Sequence, residues 1–159
     1  MTIAVYAGSF DPFTLGHLYI TNYAASIFGH VVVLIADNPG KQYFLSQEER
    51  IAVAQKSTQG VVNCSVAHTD GLVGQYAQKI GAQVLVRGIR SKSDFEVEMN
   101  LANINRALRP EIRTVLLPTD PSLSEMSSSL IRQMIKDGQD VRNILPPGVV
   151  ALLKDKING

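Results

Sequence analysis

The sequence predicts a single α/β domain over residues 1–159, built on a five-stranded parallel sheet with helices on both faces. Three observations predict it. Short Val- and Ile-rich runs alternate along the chain with stretches of helical periodicity. No repeat, low-complexity tract or charge block divides the 159 residues, a length that suits one core. Parallel strands need long crossovers, and helix-length segments between strands supply them, covering both faces of the sheet.

Taken in order, the first strand is expected over Thr2 to Tyr6, followed by a helix marked by Ile20, Tyr23, Ala24 and Ile27 at i, i+3, i+4 and i+7. A second strand over Val31 to Ala36 leads to a helix whose start is set by the capping-box pair Ser46 and Glu49. The third strand is expected over Val61 to Val66, before the helical spacing of Val73, Tyr76, Ala77 and Ile80. Val84 to Arg87 form the fourth strand. A longer helix then starts near Ser93, capped through Glu96, with Val97, Leu101, Ile104 and Leu108 as its apolar stripe. Thr114 to Leu117 are the fifth strand. Leu130, Ile131, Met134 and Ile135 then predict one helix, and Val149, Val150, Leu153 and Ile157 another after Pro146-Pro147.

Composition excludes several functions. With 15 Lys+Arg against 14 Asp+Glu the net charge is +1, so no global basic field grips nucleic acid or an anionic membrane. Uninterrupted apolar runs reach about half a dozen residues, far short of the ~20 that span a bilayer. Met1 to Gly8 carry no basic segment ahead of the apolar run, so no secretory signal is read and a cytoplasmic protein is expected. Cys64 is the single cysteine, and His17, His30 and His68 show no ligand spacing, so neither a disulfide nor a protein-held metal is expected.

In a parallel sheet, ligands bind outside the carboxyl ends of the strands, so the segments leaving each strand carry the chemistry. Gly8-Ser9-Phe10-Asp11-Pro12-Phe13-Thr14-Leu15-Gly16-His17 follows the first strand and opens a helix. Its hydroxyl, glycines and first-turn histidine suit an anion, although a glycine-rich turn with a capping histidine fits equally well. It is neither a dinucleotide fingerprint nor a P-loop. Arg87-Gly88-Ile89-Arg90 follows the fourth strand, and two guanidinium forks beside a glycine match phosphate oxygens better than they match packing. The other reading is surface pairing with acids. Leu123 to Ser129 precede a helix, and capping would use only one of the serines 127–129. Lys41, after Asn38-Pro39-Gly40, reads on its own as a solvated loop lysine. Loops from three strands thus offer donors at one end of the sheet, fit for a nucleoside triphosphate.

Gly8-Ser9-Phe10-Asp11-Pro12 with Thr14-Leu15-Gly16-His17 resembles the first motif of the nucleotidylyltransferase superfamily. Arg87-Gly88-Ile89-Arg90 followed by Ser93 to Met99 and Asn105-Arg106 narrows the resemblance to the bacterial phosphopantetheine adenylyltransferase family. Ser127-Ser128-Ser129-Leu130, Leu45, Glu48-Glu49-Arg50 and Leu145-Pro146 extend it nearly end to end. The resemblance implies a Rossmann-like fold and transfer of the adenylyl group of ATP to 4′-phosphopantetheine, giving dephospho-coenzyme A and pyrophosphate without a covalent intermediate. It also implies Mg²⁺ carried by the ATP phosphates, a homohexamer and feedback inhibition by coenzyme A.

By motif, His17 would stabilise the transition state, assisted by Lys41 and Ser9. The ATP site would comprise Ser9, Phe10, His17, Gly88, Ile89, Arg90 and Glu98, with Leu123, Ser124, Glu125, Met126, Ser127, Ser128 and Ser129. Ser9, Lys41, Val73 and Arg87 would hold phosphopantetheine. The chain departs from the family pattern at Ala7, where proline is usual, at Ser9, where threonine is common, and at Glu125, often aromatic. An acid at 125 implies a weaker hold on adenine. The competing readings are a nucleotidylyltransferase acting on nicotinate mononucleotide or glycerol 3-phosphate, and a non-catalytic nucleotide-binding module of flavodoxin-like shape.

Overall fold

The structure, a computed structural model, describes residues 1–157. Its centre is one parallel sheet in the order β3-β2-β1-β4-β5. The strands are β1 (Ile3–Gly8), β2 (His30–Ala36), β3 (Cys64–Thr69), β4 (Val84–Ile89) and β5 (Arg113–Pro118). Crossover helices α1 (Leu15–Ile27), α2 (Gln47–Thr58), α3 (Val73–Lys79) and α4 (Lys92–Leu108) join them. A 3-10 turn at Pro121–Leu123, then α5 (Ser128–Lys136), α6 (Val149–Leu152) and α7 (Lys154–Ile157), complete the described chain.

Alternation along the strands builds two cores. Ala4 and Tyr6 of β1 with Val31, Val33 and Ile35 of β2 face α1, α2, α5 and the C-terminal helices. Val5, Ala7, Val32, Leu34 and Leu85 face the opposite side, where Ala77 of α3 closes over them. β1 pairs with both β2 and β4, so the order of strands reverses there and a crevice opens at its carboxyl end.

Several expected boundaries move. β3 begins at Cys64 rather than Val61, because Val61 N–H donates to the Thr58 carbonyl and the Asn63 amide ties down the carbonyls of Ala25 and Phe28. Residues 61–63 are therefore a turn. The cap of α4 is Ser91, whose hydroxyl accepts from Asp94 N–H, not the expected Ser93 with Glu96. Ser46 and Glu49 do form both halves of a capping box on α2. The last expected helix is broken at Leu153 into α6 and α7. The apolar stripe of α4 does not enter the core: Val97, Ile104 and Leu108 are 58%, 55% and 66% exposed.

Candidate active site

The crevice holds a cleft of about 340 Å³, walled by the segments that leave β1, β2, β4 and β5. Its floor is set by local capping. Thr14 is extended and caps α1, its hydroxyl accepting from His17 N–H at 3.1 Å. His17 reciprocates: its Nδ1 accepts from Thr14 N–H at 2.9 Å. An accepting Nδ1 carries no proton, so the neutral ring carries it on Nε2. Burial first, then the positive charges of Arg90 and Arg87, hold the His17 pKa down to about 3. The histidine is both a helix cap and a neutral N–H donor. Of the two readings open at the sequence level, the capping histidine is the one the structure displays.

Phe10 stands behind this imidazole. Its ring meets His17 edge-on at 4.9 Å and Tyr6 at 5.3 Å, and it is 3% exposed with φ of 49°. That left-handed backbone is uncommon for a bulky residue and turns the loop sharply beside Ser9. The Tyr6 phenol is pushed well above its ordinary value by burial and stays neutral.

Cations ring the cleft. Arg87 forms a bidentate pair with Glu98, Nε–Oε2 2.7 Å and Nη2–Oε1 2.9 Å, and its Nη1 donates to the Ala7 carbonyl at 3.0 Å. Burial alone would weaken its charge, but the Glu98 contacts more than restore it. Three of its five donors are thereby engaged and two remain. Arg90 pairs with Asp94 at 3.3 Å. Lys41 donates to the Ser9 hydroxyl at 3.3 Å, and Arg132 donates to the Asp11 carbonyl and the Ser129 hydroxyl. Neither Lys41 nor Arg132 has an ion-pair partner among the described residues. Gly88 lies close to α1: a Cβ there would sit 3.1 Å from the Ile20 side chain, which would have to shift.

The serines have separate tasks. Ser127 caps α5 by accepting from Leu130 N–H, Ser128 donates to the Pro12 carbonyl at 2.8 Å, and Ser129 accepts from Arg132. Each hydroxyl keeps further hydrogen-bonding capacity, and all three serines, at the amino end of α5, line the cleft. The amino end of α1 does the same, so two helix termini converge on the space.

The cleft thus gathers Ser9, Phe10, His17, Lys41, Arg87, Gly88, Arg90, Glu98, Leu123, Met126 and the serines 127–129. Ile89, Ser124 and Glu125 do not line it, and Glu125 is exposed. Val73 lines a second cavity of about 190 Å³, which shares Ala7 and Arg87 with the first and is otherwise bounded mainly by Val5, Leu85, Leu101, Ala102 and Asn105. Sequence reading missed Arg132, Leu101 and Asn105. Arg132 sits one helical turn after Ser129, a spacing that could have placed it on the same face.

The carboxylates at the cleft are engaged. Asp11 accepts from Phe44 and Leu45 N–H at 2.8 Å each, Glu98 from Arg87, and Asp94 from Arg90. Among the described residues no three His, Cys, Asp or Glu side chains form a metal cluster. The donor set does not fit a resident divalent cation; one carried on a nucleotide's phosphates is part of the substrate.

Residues 5–134 match the cytidylyltransferase-like family. A phosphopantetheine adenylyltransferase of Acaryochloris marina is 44% identical over 153 residues, covering 96% of this chain and 87% of that one. Those of Heliobacterium modesticaldum and Brucella ovis are each 40% identical, covering 98% of this chain and 93% and 98% of their own. A solved structure from Vibrio parahaemolyticus, described as a nicotinate-nucleotide adenylyltransferase, shares the fold with a TM-score of 0.73 at 18% identity, covering 100% of this chain and 98% of that one. The chain belongs to the cytidylyltransferase-like nucleotidyltransferases, and within them to the phosphopantetheine adenylyltransferase family.

Proposed function

We propose that this cleft transfers the adenylyl group of ATP to the phosphate of 4′-phosphopantetheine, yielding dephospho-coenzyme A and pyrophosphate. One observation carries the reading. The Thr14–His17 capping box leaves a neutral Nε2–H facing a cleft rimmed by cations and two helix amino ends.

The acceptor is a phosphate monoester whose second pKa is ~6, so at neutral pH its oxygen attacks without a general base. That oxygen bonds to the α-phosphorus as the bond to the bridging oxygen of pyrophosphate breaks, and the electron pair leaves with pyrophosphate. The protein's work is to align the two phosphates and to neutralise developing charge. His17 Nε2–H, the Lys41 ammonium and the Ser9 hydroxyl donate to the α-phosphate oxygens. The two unspent donors of Arg87 hold the acceptor phosphate. Amides at the start of α5, with Arg90 and Arg132, receive the departing β- and γ-phosphates. Mg²⁺ enters on the nucleotide, and no step depends on a protein ligand to it.

The second cavity supports the acceptor. Its apolar wall of Val73, Leu101 and Ala102 beside Arg87 suits an aliphatic arm attached to a phosphate better than a nicotinate ring with its carboxylate. Coenzyme A carries the same arm, and its feedback inhibition follows from competition there. Six apolar residues of α4 exposed by 39% to 66% favour cover by further copies of the chain, which we assign to a homohexamer. No helix among the described residues is long and apolar enough to cross a membrane, and a cytoplasmic location fits an ATP-consuming enzyme.

Mass spectrometry of dephospho-coenzyme A formed from ATP and phosphopantetheine tests the assignment. Parallel reactions with nicotinate mononucleotide and with glycerol 3-phosphate plus CTP complete it. Product from either of these and none from phosphopantetheine overturns the reading.

A further inference from the structure

Arg50 lies behind the cleft and has no part in the steps above. It sits in the first turn of α2, 2% exposed, and its guanidinium touches three separate segments. Nη1 donates to the Ser9 carbonyl at 3.3 Å, in the loop after β1. Nη2 pairs with Asp37 at 2.7 Å, just beyond β2. The guanidinium carbon Cζ lies 4.0 Å from the Tyr43 ring centroid. Tyr43 in turn accepts from Asn38 N–H at 2.7 Å, and the Asn38 carbonyl accepts from Lys41 N–H at 3.0 Å. The loop that carries Lys41 is therefore wound onto one buried cation, and the same cation grips the backbone of Ser9.

Stability is a poor account of such a group. A buried ion pair contributes little beyond what an apolar filling would give, and Arg50 Nε is itself buried without a partner. What an apolar side chain could not do is bond the Ser9 carbonyl, hold Asp37 and place a cation over the Tyr43 ring at once. Lysine could not do it either, being a point charge without a planar face. Asp37 makes a firm anchor: burial pushes its carboxyl up, but hydrogen bonds from His68 and Arg50 outweigh this and keep it below the usual range.

We propose that Arg50 is a positioning residue that fixes the 3.3 Å approach of the Lys41 ammonium to the Ser9 hydroxyl before substrate arrives. The proposal rests on the role given above to Lys41 and Ser9. Displacing a donor by about 1 Å can cost up to ~10²-fold in rate, so Arg50→Lys should lower kcat by roughly tenfold or more. KM for ATP should change by less than about threefold, because the nucleotide's other donors stay in place.

The test is a double-mutant cycle on the full chain with Arg50→Lys, Lys41→Ala and their combination, with Tm recorded for each. If Arg50 acts through the lysine, its replacement costs no more than about threefold once Lys41 is gone. A full tenfold loss in the Lys41→Ala background, or no loss in the native background, overturns the proposal while leaving the Lys41 role intact. Lys41→Ala with unchanged kcat overturns the Lys41 role first and the proposal with it. Should Arg50→Lys fail to fold, Tyr43→Leu removes the facing ring and replaces it in the cycle. The same non-additivity is then expected, and its absence is equally fatal.

Discussion

The two faces of the sheet are built to different standards. On one, Ile20 and Ala24 of α1, Val53 of α2 and Ile131 of α5 are all within 1% of complete burial, and the imidazole of His17 is locked at its edge. On the other, α4 contributes no apolar side chain to either core, and its one buried residue is Glu98. Between α4 and the sheet lies a cavity instead of packing. The half-buried His17 sits at the edge of the dense core, whereas the wall beneath α4, where the proposed acceptor site lies, is left open. Precision and access are thus assigned to opposite faces of one sheet.

The sharpest test of that contrast uses one residue type on each face. Ile131 is 0% exposed and Ile104 is 55% exposed. Replacing a fully buried isoleucine by alanine costs roughly 2–5 kcal/mol, so Ile131→Ala should lower stability to denaturant by that amount. A surface change costs within about 0.5 kcal/mol, which is the expectation for Ile104→Ala under conditions where the chain is monomeric. A large concentration-dependent loss at Ile104 would show that another copy buries it, and would locate the assembly interface on α4.

The packed face also predicts the largest kinetic effect. Removing one preorganised donor to a developing charge costs ~10²–10³-fold in kcat. His17→Ala should fall by that factor in pyrophosphate release while phosphopantetheine still binds. Because the same ring caps α1, a loss of about 1 kcal/mol in stability accompanies it. Near-native turnover would remove His17 from the chemistry.

On the open face, Arg87→Ala would deprive the proposed acceptor site of a charged donor. Hydrogen bonds to charged groups are worth about 1.5–3 kcal/mol, so KM for phosphopantetheine should rise by roughly tenfold to 10²-fold, with a smaller change for ATP. Equal effects on both substrates would place Arg87 between the two sites rather than at the acceptor.

These contrasts also explain what could be read from the sequence. Alternating strands and helices, and donors after the first, fourth and fifth strands, were legible because they depend on local pattern and on a rule about strand ends. Lys41 enters through the family resemblance alone, since nothing local distinguishes a loop lysine that meets Ser9 from one that meets water. Arg50 enters the sequence reading only within the Glu48-Glu49-Arg50 stretch of the resemblance, and only the fold reveals it buried against three segments. The expected cap Ser93 gives way to Ser91, whose hydroxyl accepts from Asp94 N–H while the Asp94 carboxylate accepts from Arg90 N–H at 3.0 Å. The stripe on α4 has the same periodicity as a core stripe. Periodicity marks an apolar face without saying what covers it.

The smallest effect expected is the pH dependence of the locked imidazole, and it bears on the tautomer argument directly. An unfolded histidine takes its proton near pH 6.5, whereas folded His17 takes it only near about 3. Between these values the unfolded chain binds more protons, so acid favours unfolding and stability rises with pH across the window. The penalty is absent well above pH 6.5, grows as pH falls and levels off below the folded value. From pH 6.5 to 5.5 it amounts to about 1 kcal/mol. Denaturant titrations of the native chain and of His17→Asn at those two pH values should differ in slope by that amount, because asparagine has no proton to gain. Asp37 adds nothing in this range, since a carboxyl held below its usual value loses its contribution only at lower pH. Turnover should behave oppositely to stability. The Nε2–H donor persists unchanged down to pH 5, so kcat should carry no acid limb from His17 there. An acid limb near pH 6.5 that disappears in His17→Asn would mean that the ring does take a proton. The Thr14 amide would then have lost its acceptor, and the packed face would no longer be the rigid half of the molecule.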